Sequence, residues 1–132
     1  MLLTRECDYG IRIIRVLSNE GMKTVEEICE MEHVPYKYAY KILKKLENSG
    51  FVKSRRGRNG GYELIASLRD CTLLDVVTAI NDNLYINECL REGHVCSRNP
   101  DEEPCDVHIE LKRIQEALQE ELKRKSIEEI IN

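Results

Sequence analysis

The residues best suited to chemistry are three cysteines and a histidine. Cys89, Cys96, Cys105 and His108 follow the spacing C-x6-C-x8-C-x2-H in a stretch rich in Gly, Asn, Pro and acidic residues. Buried structural cysteines sit on periodic apolar faces, and these three follow no period. Thiolates gathered in a loop can converge on one metal or cluster, and such soft ligands favour iron–sulfur or zinc. Three thiols cannot pair into two disulfides, and the paired C-x2-C spacing of a usual zinc knot is absent. The other cysteines differ. Cys29 shares the apolar face of a short helix with Val25 and Ile28 and reads as inert core. Cys7 and Cys71 are isolated and read as structural or incidental.

A second group of residues suits a polyanion. The net charge of −4 over 132 residues hides a division, because residues 1–69 carry 13 basic against 9 acidic residues and residues 70–132 carry 7 against 15. Between Pro35 and Arg58 stand eight basic residues and one acidic residue, Glu47. A solvated helix face is the ordinary fate of a charge run, but this one coincides with a helix and a hairpin.

Those elements follow from periodicity and caps. Residues 3–18 predict a helix stopped by Asn19-Glu20-Gly21, and Thr24 with Glu27 reads as the capping box of a short second helix. After the break at His33-Val34-Pro35, a third helix runs to about Ser49. Its inner side is Tyr38, Ile42, Leu43 and Leu46, and its other side shows Lys37, Lys41, Lys44 and Lys45. Phe51 and Val52 begin a strand, Arg56-Gly57-Arg58-Asn59-Gly60-Gly61 turns the chain, and Tyr62, Leu64 and Ile65 return, with Asn-Gly as the hairpin signal. Thr72 caps a helix striped by Leu73, Val76, Val77 and Ile80. A fifth helix from near Asp106 carries the long stripe Val107, Leu111, Ile114, Leu118 and Leu122.

Two short helices, a tight turn and a basic hairpin predict a winged helix-turn-helix, mainly α with a small β-hairpin, that reads double-stranded DNA. Lys37, Tyr38, Tyr40, Lys41 and Lys44 would present a recognition face to the major groove. Arg56, Arg58, Asn59 and Gly60 would form a wing that grips phosphates or enters the minor groove. No nucleophile–base pair and no phosphate-cradling loop before a helix is present, which argues against an enzyme. No apolar run approaches the roughly 18 residues of a bilayer span. The opening MLLTRECDYG lacks a signal-peptide layout, so a cytoplasmic protein is expected.

The opening LTRECDYGIR, the helix-turn-helix at Thr24–Ser49, the wing VKSRRGRNGGYEL, TLLDVVTAIND, the spaced cysteines with His108 and the ending KSIEEIIN together resemble the Rrf2 family of transcription regulators. The resemblance, strongest to its IscR- and NsrR-like iron–sulfur branches, spans nearly the whole chain. It implies a homodimer joined through long C-terminal helices, with an iron–sulfur cluster near the interface controlling DNA affinity. Residues 1–69 would be the DNA-binding region, and residues 70–132 the helix, cluster loop and dimerisation helix of the same compact domain. Cys89, Cys96 and Cys105 would be the cluster thiolates. The fourth ligand would be His108 for a [2Fe–2S] site, or Asp8 from the partner subunit for a [4Fe–4S] site. The implied function is repression or activation at a roughly palindromic operator, responding to iron–sulfur status, redox state or nitric oxide. Two departures stand out. Tyr40 occupies a position that the IscR-like pattern gives to an acidic base reader, and the cysteine spacings of six and eight exceed the usual five. The alternative is a cluster-free or zinc-stapled winged-helix module that binds a protein partner.

Overall fold

A computed structural model describes residues 3–98 and 105–131. Its elements are α1 (Arg5–Glu20), α2 (Val25–Glu32), α3 (Tyr36–Asn48), β1 (Val52–Arg55), β2 (Gly61–Leu64), α4 (Leu73–Ile80), α5 (Asp106–Lys123) and α6 (Ile127–Ile131). One 3-10 turn, Glu88–Leu90, interrupts the irregular stretch between α4 and α5. The architecture is the expected one, mostly helical with a two-stranded antiparallel hairpin.

Local chemistry sets the helix starts. Thr4 caps α1 by accepting from the Cys7 amide, and Thr24 with Glu27 closes a reciprocal capping box on α2. Thr72 and Asp75 repeat that box on α4. Each helix of the first half then turns an apolar stripe inward. Ile13 and Ile14 from α1, Ile28 from α2, Ile42, Leu43 and Leu46 from α3, and Val76, Val77 and Ile80 from α4 are sealed from solvent. Fully burying such a side chain stabilises by about 1.5–3 kcal/mol, so this cluster holds α3 rigidly in place.

The hairpin pairs Val52 with Leu64 and Arg55 with Gly61. Its loop therefore holds residues 56–60, longer than the two-residue turn that Asn-Gly suggests. Gly57 supplies the left-handed step at φ 110°, and the Gly60 amide closes the turn on the Gly57 carbonyl at 3.0 Å. Asn59 takes no positive φ; among the described residues that are not glycine, His33 alone does, as the cap of α2. The loop end of the hairpin ladder is fixed to the turn between α1 and α2. Lys23 and Tyr62 exchange backbone hydrogen bonds of 3.1 and 2.8 Å. Gly61 permits that approach, because a Cβ there would stand 2.5 Å from the Lys23 carbonyl oxygen.

The second half packs differently. No residue from 81 to 98 is buried, and α5 buries only Leu122 among its described side chains. The chain then bends, and α6 brings Ile127 into the core, its amide donating to the Cys71 carbonyl at 2.7 Å. This sixth helix was not separated from the fifth by periodicity. Its start is marked by Ser126 and Glu129, which bond each other's amides at 3.2 and 2.7 Å.

Candidate nucleic-acid interface and cysteine segment

On α3, Ala39, Ile42, Leu43 and Leu46 anchor one face, which forces Lys37, Tyr40, Lys41 and Lys44 to the other. Among the described residues Lys44 has no ion-pair partner, so its charge is free for a phosphate. Lys41 is engaged: its ammonium meets the Glu6 carboxylate at 2.9 Å, and Lys45 reaches the same carboxylate at 3.3 Å. Bonding to Lys41 first, then Lys45, holds the Glu6 carboxyl below its ordinary range against the opposing cost of burial. Lys45 also donates to the Ile80 carbonyl at 2.7 Å, a structural role that ties α3 to α4.

Tyr38 sits at the inner border of the face, half-buried, its ring 5.7 Å from that of Tyr9. The Lys37 ammonium lies 5.0 Å over the Tyr38 ring, so Tyr38 supports a cation at the surface. Tyr36, which periodicity did not single out, is exposed at the first turn and stacks edge to face on Tyr40. The i, i+4 spacing of the two tyrosines is the signal that marks it.

In the hairpin, Arg55 is paired with Glu63 at 2.6 Å across the strands. Arg56, Arg58 and Asn59 are exposed, and neither arginine has an ion-pair partner among the described residues. Gly60 is half-buried at the loop's closing bond. A Cβ there would collide with the Arg55 carbonyl oxygen, so Gly60 shapes the wing. Unpaired cations on α3 and on the wing tip are the groups that DNA phosphates and base edges require.

The thiols of Cys89, Cys96 and Cys105 are free. Cys89 lies in the 3-10 turn and its sulfur accepts a bond from the Asn87 side-chain amide at 3.3 Å. Cys96 is half-buried, Cys105 is exposed immediately before α5, and His108 is half-buried in the first turn of α5. Amide N–H groups aimed at sulfur tune iron–sulfur sites, so the chemistry of the donors fits such a group. Their arrangement within one chain gathers less: among the described residues no three His, Cys, Asp or Glu side chains are grouped to hold a metal ion. Asp8 is exposed on α1 and paired with Arg12 at 3.0 Å. Cys7 is buried, and Cys29 and Cys71 are half-buried, with burial first and nearby carboxylates second pushing both thiols up. These are inert packing groups. No helix of the described residues is long and apolar enough to cross a membrane.

Comparison with known proteins agrees with this arrangement. The chain is 29% identical to Protein aau3 of Rhizobium meliloti over 99% of its own length and 85% of that protein's. It is also 29% identical to the HTH-type transcriptional regulator NsrR of Shouchella clausii, covering 76% of this chain and 70% of the relative. Among solved structures, CymR, the global cysteine regulator of B. subtilis, superposes with a TM-score of 0.74 at 25% identity, covering 98% of this chain and 95% of CymR. IscR of T. potens gives the same TM-score at 19% identity, over 98% of this chain and 85% of that one, a likeness of fold. Residues 3–132 match the Rrf2 family, described as an iron-dependent transcriptional regulator. The chain therefore belongs to the Rrf2 family of winged-helix, DNA-binding transcriptional regulators and is not an enzyme.

Proposed function

We propose that this regulator works as a homodimer whose grip on a roughly palindromic operator is set by an iron–sulfur cluster held by Cys89, Cys96 and Cys105. The observation that carries the reading is the position of three free thiols on the connector leading into α5. The α5 helix exposes Val107 and Ile114, seven residues apart on one face and suited to a second copy. A cluster, when bound, supplies a group that reacts with oxidant or nitric oxide and depends on iron supply. His108 or the partner subunit's Asp8 completes the ligand set. Lys37, Tyr40, Lys41 and Lys44 read the major groove, and Arg56, Arg58 and Asn59 hold the flanking backbone or minor groove. A coupling of about 1–3 kcal/mol between the cysteine segment and DNA is enough to change operator occupancy.

The test is anaerobic purification with absorption spectra, iron, sulfide and zinc assays, and operator titration of holo and apo protein. Brown protein with about two iron and two sulfide per chain supports His108, and about four of each supports Asp8. Replacing all three cysteines with Ser removes the colour and makes operator affinity insensitive to iron. Equal affinity of holo and apo protein overturns the sensing role. A second reading is a zinc-stapled or cluster-free module that binds a protein partner. Colourless protein with one zinc and salt-insensitive DNA binding would select it.

A further inference from the structure

Glu47 is the one acidic residue between Pro35 and Arg58, and it sits in the last turn of α3. Both circumstances count against a carboxylate. The C-terminal end of a helix carries partial negative charge, and a basic surface that meets phosphates is weakened by every acid on it. The Glu47 side chain turns to β1 instead of to Lys44, three residues earlier. One of its oxygens accepts from the Ser54 hydroxyl at 2.8 Å and from the Ser54 amide at 3.1 Å. The hydroxyl first and the amide second hold the Glu47 carboxyl below its ordinary range, so the anion makes the contact.

The hairpin itself leaves the Ser54 amide available. Ser54 stands opposite Tyr62 in the ladder, and Tyr62 spends its amide and carbonyl on Lys23. Residues opposed in that way do not bond each other, so the Ser54 amide faces away from β2, on the open edge of the hairpin. Lys23, Tyr62, Ser54 and Glu47 thus form one row, from the turn between α1 and α2 across both strands to α3. The wing is buried at its root through Phe51 and Val52, and β1 is exposed from Lys53 onward, where Glu47 takes hold of it.

We infer that Glu47 is a positioning residue for DNA recognition, which clasps the open edge of the wing to α3 and so sets the distance at which Arg56 and Arg58 stand from Lys37 and Lys44. The inference rests on α3 and the hairpin tip being the surfaces that meet DNA. Arg56 follows Ser54 by two residues, about 7 Å of extended chain, so a hold at Ser54 governs the tip directly. Without it the tip is ordered only on binding, at an entropic cost that operator affinity bears.

The test uses the full chain and two duplexes of equal length, an operator enriched by the wild-type chain from a randomised library and an arbitrary sequence. Glu47→Ala should weaken operator binding about tenfold, in the range of one lost arginine contact, although removing an acid tightens binding to the arbitrary duplex. Glu47→Gln keeps an oxygen that accepts both bonds and should stay within about threefold of wild type. Arg56→Ala should cost less in the Glu47→Ala background than alone, and hydroxyl-radical footprints of Glu47→Ala should lose protection under the wing while keeping it under α3. The footprint, read well below the melting temperature, separates a freed wing from a disturbed fold. Operator binding by Glu47→Ala as tight as wild type, additive losses with Arg56→Ala, protection lost under both elements, or a Glu47→Gln loss as deep as that of Glu47→Ala overturns the inference. A wild-type chain that enriches no sequence, or an Arg56→Ala change without effect, overturns the recognition reading beneath it.

Discussion

In α1 to α4, Ile13, Ile14, Ile28, Ile42, Leu43 and Leu46 expose nothing to solvent, whereas in α5 Val107, Ile109 and Ile114 expose 64%, 52% and 41%. The first group belongs to a core that the chain completes by itself. The second consists of apolar side chains of similar type that stay exposed among the described residues. Similar residue types thus serve two purposes: α1 to α4 bury theirs in a core that Leu122 and Ile127 also join, and α5 leaves apolar surface exposed.

The sharpest way to break this contrast is to truncate one residue from each group. Leu46→Ala should cost about 2–5 kcal/mol in urea unfolding, because a sealed site leaves a cavity. Ile109→Ala, measured at a concentration where the chain is monomeric, should stay within about 0.5 kcal/mol of wild type. Comparable losses would mean that α5 is part of the self-sufficient core. A smaller effect tests the caps of the first half. Thr24→Ala removes one partner of a closed capping box and should cost about 1 kcal/mol by thermal unfolding, since the amide of Glu27 loses its acceptor. No loss would show that packing alone fixes the start of α2.

The smallest effect is the pH dependence at Glu6. Lys41 and then Lys45 hold its carboxyl below the ordinary range in the folded state. The stabilisation is complete above the unfolded carboxylate pKa and drains away as pH falls through that value toward the depressed folded one. Because the group is partly exposed, the contribution is at most about 1 kcal/mol. Melting temperatures of wild type and Glu6→Gln should differ near neutrality and converge in acid. Parallel curves would remove Glu6 from the acid response.

The winged-helix half was legible because its signals are local and agree with one another. The capping pairs Thr24/Glu27 and Thr72/Asp75, the inward stripe of α3 and the stop after Asn48 all follow from neighbours within one turn. The hairpin was legible as a hairpin but not in its loop. Asn59-Gly60 signals a two-residue turn, while Gly57 supplies the left-handed step and the Lys23–Tyr62 bonds fix where pairing begins. The latter contact spans 39 residues of sequence, which no local pattern encodes. Helix α6 was missed although Ser126 and Glu129 carry a capping signal, because the Lys123-Arg124-Lys125 run continues a helical composition without a break.

At the cysteine segment, residue types revealed the chemistry and spacing could not reveal the shape. Ligand convergence is a property of loops whose backbone has no period, and residues 99–104, between Cys96 and Cys105, lie outside the described residues. The tyrosine pair on α3 was hidden for a related reason. Tyr36 and Tyr40 are an ordinary helical pair until α2 brings Glu26 beside them.

The wing is joined to the body by main-chain bonds between Lys23 and Tyr62 and by Glu47, which accepts from the Ser54 amide and hydroxyl, while Gly60 and Gly61 are positions where a side chain would meet backbone. In evolutionary terms this separates where the wing stands from what its tip says. Substitutions at Arg56, Arg58 or Asn59 alter no contact that holds the hairpin to the body. Descendants of this chain can therefore vary the tip by single surface changes, each tried without first destabilising the fold that presents it.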